Sequence, residues 1–270
     1  MINEKINRPF PAIGWALVLF LLGLSLSGLM IMVIMFLPES LKGDLLFTGI
    51  LNGIPLTVLV IIGYKKRKGL WGEVFPFSVP KPAGLFFLLI IAIGLSILMS
   101  EVDNVFRLFF PVPRYIIDFF MSILTGGSIF TSLILVSLIA PFTEEFFFRG
   151  ILLRGFLENY RVSTALILSS FLFALFHLNP WQFFGAFFGG LVLGWIYYRT
   201  GSLFFSVLLH GLFNSLPVFM VRFNIVVEGY SNPENLQAFQ PLWFDGVGVL
   251  FIAAGIWYFQ RKCKKEERIE

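Results

Sequence analysis

Long apolar runs, each near the thickness of a bilayer and separated by polar breaks, set the pattern of this chain. A helix needs about 20 mostly apolar residues to cross the hydrocarbon. Eight runs meet or approach that length, near residues 12–37, 45–64, 83–99, 128–148, 162–178, 183–198, 202–220 and 244–260. They predict an all-α, polytopic membrane protein of about eight transmembrane helices, a single integral domain over residues 1–270. The first run is too long for a signal-peptide core and reads as a retained span. The third and sixth are short, and the sixth carries Gly185, Gly189, Gly190 and Gly194. Glycines at that spacing let helix backbones approach closely, so packing is their first reading. Two breaks are long, 100–127 and 221–243. The first holds Phe109-Phe110-Pro111-Val112-Pro113 and an amphipathic stretch suited to the membrane interface. The second, with Asn232-Pro233, reads as a plain loop.

Composition sharpens this picture. Hydrophobic residues make up 57% of the chain, charged residues 13%, and mean hydropathy is +0.86. Soluble domains carry about 25% charged residues. So little charge excludes a soluble enzyme, a disordered chain and a nucleic-acid binder. The partners expected are the lipid bilayer and a membrane-associated peptide or protein. The net charge of +4 is read through its distribution. With the N-terminus inside, the inner segments hold Lys5, Arg8, Lys65, Lys66, Arg67, Lys68, Lys81, Arg149, Arg154, Arg161, Arg199, Arg261, Lys262, Lys264, Lys265 and Arg268. The outer ones hold only Lys42, Arg107, Arg114 and Arg222, out of 20 basic residues in all. This asymmetry predicts a multi-pass protein with both termini cytoplasmic, in the cell membrane if the source is bacterial. The single cysteine, Cys263, lies in a basic tail where a thiol can be lipidated, although an ordinary exposed cysteine is the simpler reading.

Ionisable groups inside a membrane are costly and mark function by default. The fourth run carries Glu144 and Glu145, with Arg149 one turn on. An acid four residues before a base is the favourable order for a helical ion pair, so Glu145 and Arg149 are expected to pair and leave Glu144 free. The only two histidines, His177 and His210, both fall in apolar runs. Asn214 shares a helix face with His210, and Phe173 shares one with His177. If the fourth and fifth helices form a hairpin near Tyr160-Arg161, Glu144 and His177 both lie about 16 residues from the turn, hence at a similar depth. The fourth helix then extends past the hydrocarbon, carrying Arg154 and Glu158. Taken singly, each cluster is as well read as an interfacial anchor or a helix–helix hydrogen bond.

Together the clusters resemble a known set. Glu144-Glu145-Phe146-Phe147-Phe148-Arg149 matches the EExxxR motif of the CAAX protease and bacteriocin-processing (CPBP, or Abi) membrane proteins, the family that includes CAAX prenyl protease 2. Phe173-Ala174-Leu175-Phe176-His177 matches its FxxxH, and His210-Gly211-Leu212-Phe213-Asn214 its HxxxN. The resemblance spans about residues 128–220, which would be the catalytic core. It implies an intramembrane endopeptidase in which Glu144 and His177 activate a water molecule while His210 and Asn214 stabilise the oxyanion. CAAX-type, bacteriocin or surface-protein processing are the activities it suggests.

The residues agree with that chemistry. Peptide hydrolysis needs a base for water, a proton donor for the amine and donors for the oxyanion. There is no His-Glu-x-x-His and no Gly-x-Ser-x-Gly. No aspartate is placed within a span, which sets aside a paired-aspartate protease. A glutamate-type protease with no cofactor is expected. The alternative is a zinc metalloendopeptidase using Glu144, His177 and His210. Such a centre also needs a separate base, and the one spare carboxylate nearby, Glu145, is expected to be taken by Arg149; no other intramembrane carboxylate is left to stand behind the histidines, although a backbone carbonyl can serve. Two further readings remain open. One is a non-catalytic immunity or scaffold protein of the same fold. The other is a transporter with a proton relay, which the absence of an internal repeat disfavours.

Overall fold

The computed structural model describes residues 9–79, 81–231 and 238–263. Lys5, Arg8, Lys264, Lys265, Arg268 and Asn232-Pro233, which figure in the sequence reading, lie outside the described residues. Each of the eight apolar runs becomes a helix. They are α1 (Ile13–Met35), α2 (Leu45–Arg67), α3 (Pro82–Phe109), α5 (Ile129–Asn159), α6 (Val162–Phe176), α7 (Pro180–Thr200), α8 (Leu203–Arg222) and α9 (Leu242–Lys262). The amphipathic helix α4 (Arg114–Thr125) lies between α3 and α5 and buries none of its residues, as an interfacial helix would.

Six of these helices, α1, α2, α3, α5, α8 and α9, are long and apolar enough to cross a membrane. The expected count of eight is therefore met by only six on length and composition. Helix α6 has 15 residues, about 22 Å of rise. Helix α7 has 21 residues, but glycines, tryptophans and tyrosines dilute its apolar character.

Local chemistry explains the boundaries. Asp44, Ser128, Asn179 and Ser202 each accept a hydrogen bond from a backbone N–H in the first turn of the helix that follows. Pro82 and Pro180 stand at helix starts, where a missing N–H costs nothing. Lys65, Lys66 and Arg67 close α2, where cations complement the helix dipole. Gly201, with φ +65°, ends α7 in the left-handed region.

Helix α3 runs beyond the expected 83–99, so Asp103 lies within it, and Asp245 lies in the first turn of α9. The expectation that no aspartate falls in a span is thus corrected. Asp103 sits where α3 continues past its apolar core, whereas Asp245 already falls inside the run 244–260. The hairpin at Tyr160-Arg161 and the extension of the fourth helix are as expected. Arg67 and Arg154 both pair with Glu158, and Arg154 also donates to the carbonyls of Glu73 and Val74. At the same end of the bundle, Arg199 donates to the carbonyl of Gln260.

Two apolar clusters build the interior. One joins α1, α2, α5 and α6 around Leu59, Phe147, Phe148, Ile151 and Leu172. The other joins α3, α7, α8 and α9 around Ile91, Ile196, Leu209 and Phe259. Glu145 precedes Phe146 of the first cluster and His210 follows Leu209 of the second, so the polar site falls where the two meet.

Candidate active site

Helix α5 is not a regular α-helix. Residues Ile134–Ile139 and Phe146–Leu153 are π-helical, and the α-helical turn Ala140–Glu145 between them carries both glutamates. Such widenings of a helix are rare and recur at functional sites. Pro141 sits within that short turn. The N–H of Ala140 bonds back five residues to the carbonyl of Leu135. The next rung would run from residue 141 to Val136, but proline has no N–H.

Glu145 and Arg149 are 0% and 1% exposed and pair at 2.9 Å, as the i, i+4 spacing predicts. Arg149 also donates to the carbonyl of Gly190 at 3.1 Å, and its guanidinium stacks over the Phe173 ring at 4.5 Å. Isolated charges this deep would be prohibitive; paired and hydrogen-bonded, they persist.

Glu145 does more than the sequence reading allows. The same oxygen, Oε1, also accepts from His210 Nδ1 at 2.9 Å. A carboxylate that already accepts from a guanidinium can only accept again, so Nδ1 carries the hydrogen and neutral His210 presents an unprotonated Nε2. That nitrogen faces Glu144, with Nε2 and Oε2 3.9 Å apart, a gap that one water molecule hydrogen-bonded to both can bridge. Glu144 is partly exposed whereas Glu145 is closed off.

His177 caps the end of α6. Its Nδ1 lies 2.9 Å from the Phe173 carbonyl, which can only accept, so His177 too turns Nε2 outward. The Phe173 ring stands edge-on to both imidazoles, 4.9 Å from His177 and 5.8 Å from His210. The three motifs therefore converge around Phe173. Among the described residues Glu144 makes its ion-pair contact with His210, and none with His177. Asn214 Nδ2 donates to the Val136 carbonyl at 2.9 Å, which commits one of its two amide hydrogens.

A zinc centre on Glu144, His177 and His210 needs these donors around one point. Among the described residues no three His, Cys, Asp or Glu side chains are gathered closely enough to hold a metal ion. As arranged, the trio does not fit a three-ligand centre. The expectation that no carboxylate is left to back a histidine is corrected, because Glu145 stands behind His210 while also pairing with Arg149.

Sequence reasoning missed the shared use of Glu145, the π-helical segments and the Gly190 carbonyl. Only Pro141, three residues before Glu144, offered a signal that the helix is irregular there. Gly190 and Gly194 do serve packing, since a Cβ would meet Ser170 and Phe173, or Leu166 and Leu153, at 3.1–3.3 Å. Cys263 is half-buried against the second apolar cluster, not the exposed cysteine of the simpler reading.

No curated protein and no solved structure matches the chain. A family model does match, over residues 126–216, described as Rce1-like, type II CAAX prenyl endopeptidase. That segment holds both glutamates, both histidines and Asn214. Over that segment the chain is similar to this family, and with six helices long and apolar enough to cross a membrane it is an integral membrane protein.

Proposed function

We propose that this protein is an intramembrane endopeptidase that hydrolyses a peptide bond of a membrane-associated substrate with water activated by Glu144 and His210. The observation that carries the reading is the chain Arg149–Glu145–His210–Glu144. A buried ion pair fixes the tautomer of His210, and its free nitrogen stands one water away from a second carboxylate. Water donating one hydrogen to Glu144 and one to Nε2 directs its lone pair outward at a carbonyl carbon. As the new C–O bond forms, a proton passes to this pair. As the C–N bond breaks, imidazolium Nε2–H returns a proton to the leaving amine, giving a carboxylate and an amine. Neutral His210 has no hydrogen on Nε2, so the geometry supports it better as proton carrier than as oxyanion donor. His177 lies across the Phe173 ring, with Nε2 available for the water or the substrate.

Both termini on the cytoplasmic side, a catalytic core over residues 128–220 and a CAAX-type peptide as substrate belong to this reading. The test is purified protein in nanodiscs with a prenylated CAAX peptide and its unprenylated counterpart in H₂¹⁸O. One ¹⁸O is expected in the new C-terminal carboxylate, with loss of product for Glu144→Gln and indifference to a chelator. Undiminished cleavage by Glu144→Gln would remove the base from the scheme. Activity lost to a chelator and restored by zinc would make it a metalloenzyme.

A further inference from the structure

We infer that Asn214 is a positioning residue that completes the backbone of α5 where Pro141 interrupts it, and thereby holds Glu144 and Glu145 at their place on the helix. The inference rests on the proposed hydrolytic site but concerns how that site is held. The N–H of Ala140 reaches the Leu135 carbonyl, and the following rung to Val136 has no donor because residue 141 is proline. Asn214 Nδ2 supplies that donor from α8, 2.9 Å from the Val136 oxygen. A buried carbonyl without a partner is costly, so the amide substitutes for the missing rung.

Gly211 makes the contact reachable. A Cβ at residue 211 would lie 2.5 Å from the Ser137 carbonyl oxygen, so only glycine lets α8 press against this stretch of α5. Asn214 follows one helical turn later, directly over Val136. His210 precedes Gly211 and bonds to Glu145. The segment from His210 to Asn214 thus grips α5 on both sides of Pro141. Glu144 lies three residues after that proline, and its height and rotation depend on the wide turn keeping its register. The function of Asn214 follows from the backbone it repairs, in addition to any contact of its second amide hydrogen with substrate.

The test pairs two substitutions. Asn214→Leu keeps the volume and removes the donor; kcat is expected to fall roughly tenfold or more with KM little changed. Pro141→Ala returns an N–H to residue 141. In the double variant Pro141→Ala/Asn214→Leu most of the lost kcat is expected to return. A double variant as inactive as Asn214→Leu, beside an active Pro141→Ala, would place the work of Asn214 at the reacting atoms and overturn the inference. A second measurement needs no activity and holds even if Pro141→Ala fails to fold. Amide hydrogen exchange across residues 134–146 should quicken in Asn214→Leu while exchange in α9 stays as in the parent. Unchanged protection across 134–146 would overturn the inference and leave the hydrolytic reading intact.

Discussion

Helices α1 and α5 are both long and apolar enough to cross a membrane, yet they are built on opposite principles. Helix α1 buries only Ala16, Leu19, Phe20 and Gly23, and turns Leu17, Val18, Leu21, Leu29 and Met32 outward. Its polar side chains are two serines, Ser25 and Ser27, set among turns of hydrocarbon. Lipid is as good a solvent for those side chains as protein, so little beyond length and apolarity is asked of them. Helix α5 instead places a carboxylate and a guanidinium at 0% and 1% exposure and departs twice from α geometry. Its key polar groups take partners from other elements: Glu145 from His210 of α8, Arg149 from the Gly190 carbonyl of α7, and the Val136 carbonyl from Asn214 of α8. One helix is specified by its solvent, the other by its neighbours.

The sharpest break between the two is Glu144. Glu144→Gln is expected to lower kcat by about 100- to 10,000-fold, the range for loss of a general base, with an unchanged melting curve. Its partial exposure leaves room for the amide, so folding is spared. A matching drop in melting temperature would show Glu144 to be structural, and would merge its role with that of Glu145.

Glu145 should behave in the reverse way. Glu145→Gln leaves Arg149 buried without its counter-charge, and breaking a buried pair on one side costs about 3–5 kcal/mol. Adding Arg149→Met is expected to recover a good part of that stability, because both charges are then gone. Activity should not recover, since His210 has lost the carboxylate that fixes its tautomer. Recovery of both in the double variant would mean that the tautomer does not matter to the reaction.

What the sequence disclosed follows the same division. Helix α1, and the outer helices generally, could be read to within a few residues, because hydropathy reports transfer into lipid one residue at a time. The Glu145–Arg149 pair was legible because both members lie on one helix, four residues apart. The bond from Glu145 to His210 was not, because 65 residues separate them and a carboxylate oxygen accepts more than one hydrogen bond. Nor was the partner of Glu144: a hairpin fixes the depth of Glu144 and His177, but depth alone does not choose between two histidines. The π-helical turns could not be foreseen from apolar periodicity, since Phe146 to Leu153 is almost uniformly apolar and shows no face. Arg149 is the exception within that stretch, and it is the residue whose placement could be read.

Glycines give a finer version of the contrast. Gly211→Ala puts a methyl 2.5 Å from the Ser137 carbonyl, a backbone atom that cannot swing aside. Helices α5 and α8 must part, at about 1–3 kcal/mol for overpacking, and both His210–Glu145 and Asn214–Val136 are stretched. Stability and kcat should fall together. If Gly211→Ala melted like the parent, α8 would have slack at this contact and the close approach would carry no weight.

Gly28 is the counterpart in α1, and it sets the floor of the comparison. A Cβ there meets nothing within 4 Å, and the position is exposed on the lipid side. Gly28→Ala therefore adds a methyl to hydrocarbon and removes backbone freedom that glycine keeps in a helix interior. The expected change is a gain of at most about 0.5–1 kcal/mol, and the lower part of that range is favoured because an apolar segment stays helical in lipid even when its contacts are lost. Activity should be untouched, since α1 gives no side chain to the site. The measurement is a melting curve in nanodiscs beside that of Gly211→Ala. A loss of 1 kcal/mol or more at Gly28 would mean that something packs on this face of α1, a second copy or a bound partner. The helix would then be specified by a neighbour after all, as α5 is.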